Sequence, residues 1–241
     1  MAECIVLAGG FGTRIRHRFP NTPKLLIPIG GRMVLERQVQ MLEAIRVERV
    51  VLVTGYLHSD VRLAVRGLST PLDIEIVVED EPRGTAEALR FAAQFVSSEK
   101  VVFMNGDTLI EKASWGTIAD ALVGTLVPAM TLFGNDSIPM DNADSYEVQD
   151  GLVVSRKRET RAEWISRAGN TKVSSGIVVM KYQKIPFGGQ APLTNGETIE
   201  SVFIDPLIEN GDVFFHPKNI NFYDVGSELG FVNAENIFSQ D

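Results

Sequence analysis

Leu7-Ala8-Gly9-Gly10-Phe11-Gly12-Thr13-Arg14, followed by Asn21-Thr22-Pro23-Lys24-Leu25-Leu26-Ile27-Pro28, is the most informative part of this chain. A short apolar run, Cys4 to Leu7, has the composition of a buried strand and leads straight into a glycine-rich turn. Gly9, Gly10 and Gly12 can adopt positive φ and let backbone N–H groups approach an anion that a Cβ would hold off. Arg14 and Lys24 add mobile positive charge, so the segment suits the phosphates of a nucleoside triphosphate. The turn lacks the Lys-Ser/Thr ending of a P-loop and the third-glycine spacing of a dinucleotide fingerprint. An ordinary surface loop is the plainer alternative.

Outward from this turn, the first half alternates apolar β-rich runs with helical patterns, as a doubly wound sheet requires. Cys4 to Leu7, Arg49 to Val53, Ile74 to Val78 and Val101 to Met104 are the expected strands. Between them, Met33 to Ile45 puts Val34, Leu35, Gln38, Val39, Leu42 and Ile45 largely on one helical face, and Thr85 to Val96 does the same with Ala88, Leu89, Ala92 and Phe95. Such units give parallel strands, right-handed crossovers and a ligand crevice at the carboxyl ends of the strands. After about residue 125 the pattern shortens to hairpins, with Tyr146 to Val148 and Leu152 to Ser155 joined through Gln149-Asp150-Gly151. A strand at Val173 to Met180, a helix around Ser201 to Asn210, and strands near Val213 to Phe215 and Asn221 to Val225 come next. A last helix starts with Ser227 as N-cap and Glu228 favoured by the dipole. The Pro- and Gly-rich stretch Ile185 to Glu197 is a loop, placed to flank an active site or to join the interface of a homodimer. The expectation is one α/β domain over residues 1–241, Rossmann-like and doubly wound, with a mixed, mostly parallel sheet. Residues 1–124 are its nucleotide-binding half, and residues 125–241 cover the crevice.

At 241 residues, 44% hydrophobic and 22% charged, the chain can bury a substantial core. A formal net charge of −8 argues against nucleic acid, whose phosphate backbone asks for a basic face. A small anionic ligand needs only a local basic patch, and Arg14, Arg16, Arg18 and Lys24 crowd the first segment. The single cysteine, Cys4, excludes an internal disulfide and a cysteine-rich zinc site and points to a reducing compartment. With no charged leader and no run of about 18 apolar residues, no membrane segment is expected and the cytoplasm is the expected location. His17, His58 and His216 have neither metal-ligand spacing nor a nucleophile partner.

Asn105-Gly106-Asp107 stands where the fourth expected strand ends, which delivers Asp107 to the crevice. Asp224 ends another apolar run in the same way, within Asn221-Phe222-Tyr223-Asp224-Val225-Gly226. Two carboxylates together with triphosphate oxygens make an oxygen-rich site suited to Mg²⁺. An aspartate at a strand end is otherwise a turn former or a helix cap. Glu79-Asp80-Glu81-Pro82-Arg83-Gly84-Thr85-Ala86 follows the third strand and opens a helix, with Thr85 as candidate N-cap.

Leu7 to Arg14, with Pro23-Lys24 and Pro28, resembles the signature of the sugar-1-phosphate nucleotidyltransferases, and the whole chain can be laid along their short, single-domain members. The resemblance implies Mg²⁺-dependent transfer of a nucleotidyl group from a nucleoside triphosphate to a sugar 1-phosphate, with residues 125–241 as the sugar-binding half. It implies catalytic roles for Arg14, Lys24 and Asp107, and a nucleotide cradle of Leu7, Ala8, Gly9, Gly10, Gly12, Thr13, Asn105 and Gly106. Glu79, Pro82, Gly84 and Thr85 belong to a segment similar to the family's Glu-Pro-x-Gly-Thr-Ala, which meets the base. Asp107 and Asp224 match the two metal-binding aspartates. Ser174, Ser175 and Gly176 stand where the family usually has Asn-Ala-Gly or Asn-Gly-Gly, a sugar-contacting position. Two departures follow. Val154-Ser155-Arg156-Lys157-Arg158-Glu159 replaces a Glu-Lys pair whose lysine grips the sugar phosphate, leaving Lys157 or Lys172 for that role, or else a solvated basic hairpin edge. Tyr146-Glu147 replaces a usual Tyr-Gly.

The order Glu-Pro-x-Gly-Thr, Asn-Gly-Asp-Thr, Asp-Val-Gly is most similar to the D-glycero-D-manno-heptose 1-phosphate guanylyltransferases, which implies GTP as donor. N-acetylmuramate 1-phosphate uridylyltransferases come second, and Val47 to His58 is similar to phosphocholine cytidylyltransferases. A catalytically silent regulatory subunit would have lost charge at Lys24, Asp107 or Asp224, and all three are present. A nicotinamide-dependent dehydrogenase would need an acidic residue ending the second strand, which ends in Val53-Thr54-Gly55.

Overall fold

Alternating apolar side chains build the centre of the molecule. The computed structural model describes residues 2–81, 83–124, 128–136, 143–166, 171–184 and 196–240. The strands of its main sheet are β1 (Glu3–Leu7), β2 (Arg49–Thr54), β3 (Asp73–Val78), β4 (Lys100–Asn105), β5 (Met130–Asn135), β6 (Ala143–Gln149), β7 (Leu152–Glu159), β8 (Thr171–Lys181) and β9 (Val213–Phe215). They form one nine-stranded sheet in the order β3-β2-β1-β4-β8-β5-β9-β7-β6, which runs through both halves of the chain. The block β3-β2-β1-β4 is parallel throughout. β8 lies antiparallel between β4 and β5, and β6 and β7 form an antiparallel hairpin, so the sheet is mixed.

The helices are α1 (Val34–Ala44), α2 (His58–Gly67), α3 (Thr85–Ala93), α4 (Trp115–Val123), α5 (Arg161–Ser166), α6 (Asp205–Glu209) and α7 (Glu228–Phe238). Along β1 the side chains alternate between two cores. Ile5 joins Val51, Phe103 and the α3 residues Leu89 and Ala92 on one face. Cys4 and Val6 join Leu35, Val39 and Leu42 of α1 and Ile118 of α4 on the other. Burial on both faces is why this strand reads as an unbroken apolar run. A third cluster packs Phe231, Ala234 and Phe238 of α7 against Ile15, Ile27 and Ile29, which holds the segment after the glycine turn to the C-terminal helix.

Some elements are not anticipated from sequence. In α2 only Val61 is buried, too thin a stripe to mark a helix by periodicity. The helix expected around Ser201 to Asn210 is a π-type turn, Glu200–Ile204, followed by the short α6. Pro206 in the first turn of α6 cannot donate a hydrogen bond backwards, and the wider turn precedes it. Ser227 does cap α7, accepting from Gly230 N–H at 3.2 Å. Of the expected loop Ile185 to Glu197, residues 185–195 lie outside the described residues. Among the described residues no helix is long and apolar enough to cross a membrane.

Candidate active site

The carboxyl ends of the parallel strands open into a cavity of about 730 Å³. Leu7 ends β1, Glu79 follows β3 and Asn105 ends β4, and all three line it. Three backbone bonds stitch the strand ends together: Ala8 N–H donates to Val53 O, Glu79 N–H to Thr54 O and Gly106 N–H to Leu7 O, each at 2.8 Å. The glycine turn and the Asn105-Gly106-Asp107 turn therefore face the same space.

Asp107 and Asp224, far apart in sequence, meet because two short strands pair. Thr108–Ile110 runs antiparallel to Phe222–Asp224 with Asp224 opposite Thr108. Val225 N–H donates to Asp107 O at 2.9 Å, which ties the two turns directly. Lys24 Nζ donates to Asp107 Oδ2 at 2.5 Å, and Arg14 Nη2 lies 3.3 Å from Asp224 Oδ2. Burial raises the Asp224 carboxyl above its usual range and the nearby Asp107 charge adds to this, while Arg14 pulls the other way. Gly226 makes the approach possible. A Cβ there would stand 2.6 Å from Asp107 Oδ2, 2.9 Å from Asp224 Oδ1 and 3.1 Å from Lys24 Nζ.

Two converging carboxylates are a hard-oxygen donor pair, which fits a divalent cation whose other ligands are phosphate oxygens and water. Among the described residues no group of three or more His, Cys, Asp or Glu side chains is placed to hold a metal, so the described side chains leave further ligand positions to phosphate and water.

At the start of α3 the structure corrects one expectation. The N-cap is Gly84, at φ +112°, and Thr85 is the first helical residue. A Cβ on Gly84 would fall 2.6 Å from Glu197 O, and the Thr85 hydroxyl accepts from Ile199 N–H at 3.2 Å. This bond fastens the α3 entry to the segment carrying Glu200. Glu79 faces the cavity with its Oε1 buried and unpartnered, and burial raises its carboxyl above the ordinary range.

Leu7, Ala8, Gly9, Gly10, Arg14, Lys24, Asn105, Gly106, Asp107, Ser174, Ser175, Gly176 and Asp224 all line the cavity. Gly12 and Thr13 do not, and Pro82 lies outside the described residues. Neither lysine offered for the sugar phosphate reaches it. Lys157 is exposed on β7, and Lys172 is 2.5 Å from Asp136 Oδ1, away from the cavity. Its ammonium is engaged there, donating also to Asn219 Oδ1 at 3.1 Å.

Asn135, Asp144 and Glu200 also line the cavity and were not anticipated from sequence, beside Tyr146 of the Tyr146-Glu147 departure, which was. Burial pushes the Glu200 carboxyl up, and Asp144 adds to this. Arg156 grips both oxygens of Asp205, at 2.7 and 2.6 Å, and Asp144 Oδ1 at 2.5 Å. The basic hairpin that departs from the family pattern thus supplies an arginine to fix acidic neighbours. Only the oddity of that hairpin hinted at this.

Residues 4–134 match the model of the MobA-like NTP transferase domain. Over 107 residues the chain is 34% identical to the D-glycero-α-D-manno-heptose 1-phosphate guanylyltransferase of Aneurinibacillus thermoaerophilus, covering 44% of this chain and 46% of that protein. It is 25% identical over 245 residues to the bifunctional protein GlmU of Methanococcus maripaludis, covering 98% of this chain and 54% of that protein. The chain therefore spans about half the length of these curated relatives. Its fold is similar to the crystal structure of HddC from Yersinia pseudotuberculosis complexed with GMP-PN, with a TM-score of 0.77 at 22% identity, over 99% of this chain and 100% of that one.

Proposed function

The chain belongs to the MobA-like NTP transferase domain family, and from that premise we propose that it transfers a nucleotidyl group from a nucleoside triphosphate to a sugar 1-phosphate. The observation that carries this reading is the convergence of the glycine turn, Lys24 and the Asp107/Asp224 pair on one cavity. An oxygen of the sugar phosphate attacks the α-phosphorus in line, the bond from that phosphorus to the bridging oxygen breaks, and pyrophosphate leaves with the electron pair. The nucleophile is already an anion at pH 7, so the task is to hold two mutually repelling polyanions in reactive geometry. Backbone at Gly9 and Gly10, with Arg14, receives the triphosphate, and Lys24 neutralises charge beside Asp107. Asp107 and Asp224 would hold Mg²⁺, which when bound supplies neutralisation of the phosphate charge.

GTP and a heptose 1-phosphate are the finer reading, supported by the relative named as a guanylyltransferase. The charge of the cavity supports an uncharged sugar. Asp144 and Glu200 line it, and Arg156 is already taken up by Asp144 and Asp205. Among the described lining residues the cations are Arg14 and Lys24, both beside the Asp107/Asp224 pair. Beside Asp144 and Glu200 no lining cation among the described residues is available to pair with a sugar carboxylate, which weighs against N-acetylmuramate 1-phosphate. The test is a pyrophosphate-release screen of the four ribonucleoside triphosphates and dTTP against neutral and carboxylate-bearing sugar 1-phosphates, with and without Mg²⁺. Release is expected with GTP and a neutral heptose or hexose 1-phosphate, only with the cation. Release that is indifferent to the sugar phosphate refutes the reading.

A further inference from the structure

Gln38 is a polar residue on the apolar stripe of α1, among Leu35, Val39 and Leu42, and is 3% exposed. Its Nε2 donates to Asn105 O at 3.1 Å and to Thr108 O at 2.9 Å, the two carbonyls that bracket Gly106 and Asp107. The opposite amide orientation would set an oxygen against two carbonyl oxygens, so the donor assignment follows from the chemistry of the partners. Its Oε1 is buried with no partner. A side chain selected for packing at this place would be apolar like its neighbours, because a buried unpaired acceptor costs stability.

We propose that Gln38 is a positioning residue for the reaction. Its amide clamps both ends of the Asn105-to-Thr108 turn to α1 and so aims the Asp107 carboxylate at Lys24 and at the cation. Two further bonds hold the same turn from the other sides: Thr108 Oγ1 donates to Ser175 O at 3.1 Å, and Val225 N–H donates to Asp107 O at 2.9 Å. Gln38 itself does not line the cavity. The inference rests on the nucleotidyl-transfer reading for its consequence in turnover, and on geometry alone for its consequence in cation binding.

The experiment compares the wild-type chain with Gln38→Met, which keeps length and flexibility but removes the donor, alone and combined with Asp107→Asn. Mn²⁺ affinity, titrated by electron paramagnetic resonance, should fall about tenfold in Gln38→Met, the scale usual for groups that orient metal ligands. kcat should fall by a similar factor while the nucleotide KM stays within about threefold. Added to Asp107→Asn, the substitution should cost little more, since it acts through that carboxylate. Equal Mn²⁺ affinities for wild type and Gln38→Met overturn the proposal, as does a loss that adds in full to that of Asp107→Asn. A wild-type chain that binds Mn²⁺ through Asp107 yet releases no pyrophosphate overturns the functional reading, while weaker Mn²⁺ binding by Gln38→Met still supports the clamp.

Discussion

Gly226→Ala should disable the site without unfolding the protein. The backbone at Gly226 is not among the positive-φ glycines, so alanine meets no conformational penalty there. What it meets is crowding. The new methyl would lie 2.6 Å from Asp107 Oδ2 and 2.9 Å from Asp224 Oδ1, where ordinary contact begins at 3.4 Å. Both carboxylates hang on short, stiff side chains, so each must retreat by roughly half an ångström or more to escape the repulsive wall. The methyl would also occupy the space between the two oxygens, where a shared cation would bind. Misplacement on the scale of 1 Å at a reacting centre costs about 10²-fold in rate, and kcat/KM should fall by at least that much. The unfolding midpoint should stay within a few degrees, because the clash falls on three polar side chains at a cavity wall and not on the core. Steady-state pyrophosphate release and thermal unfolding followed by circular dichroism check both halves. An alanine variant with wild-type kcat/KM would refute the convergence of the two carboxylates on Gly226.

Lys24→Ala should lower kcat/KM about 10²-fold or more with the circular dichroism spectrum unchanged, since a charge meeting the phosphates in a partly desolvated site is worth roughly 3 kcal/mol; near-normal turnover would remove Lys24 from the mechanism. Asp107→Asn and Asp224→Asn should each remove most activity, with partial rescue by raised Mg²⁺ and little further loss in the double variant; additive losses without rescue would mean the two act separately. Lys157→Ala and Lys172→Ala should leave the KM for sugar 1-phosphate within about twofold, because neither side chain lines the cavity; a selective rise in that KM would place the phosphate elsewhere. His216 stacks on Phe133 with ring centroids 5.3 Å apart, and burial lowers its pKa below 6.5. The unfolded chain then takes up a proton first as the pH falls, so the stability linked to His216 is intact above about pH 6.5 and is lost below it. His216→Phe should flatten that acid-side loss in melts between pH 7.5 and 5.5, and an unchanged slope would contradict the assignment.

Much of the catalytic side was legible in the chain because the chemistry is local. A backbone that must approach phosphate is written as consecutive glycines after an apolar strand, and Asp107 and Asp224 are each delivered by the last residues of a strand. The α1 stripe was equally plain, Gln38 included, although nothing in the chain told what its amide binds. The ion-pair network around Arg156 was not legible, although Tyr146-Glu147 stood out as a departure. Asp144, Tyr146, Arg156, Glu200 and Asp205 sit on three separate stretches, and their charges take meaning only from one another: Arg156 reads as one more cation in a basic hairpin until Asp144 and Asp205 are seen to hold it.

Periodicity and turn chemistry, which act over a few residues, thus determined the parallel α/β block, the glycine turn and the residue types that meet phosphate. Tertiary structure alone decided how closely Asp107 and Asp224 converge beside Gly226, that Lys172 pairs with Asp136 and not with the cavity, and that Arg156 is taken up by Asp144 and Asp205. Those outcomes depend on strand order and register across residues scores of positions apart, and no local pattern in the chain encodes them.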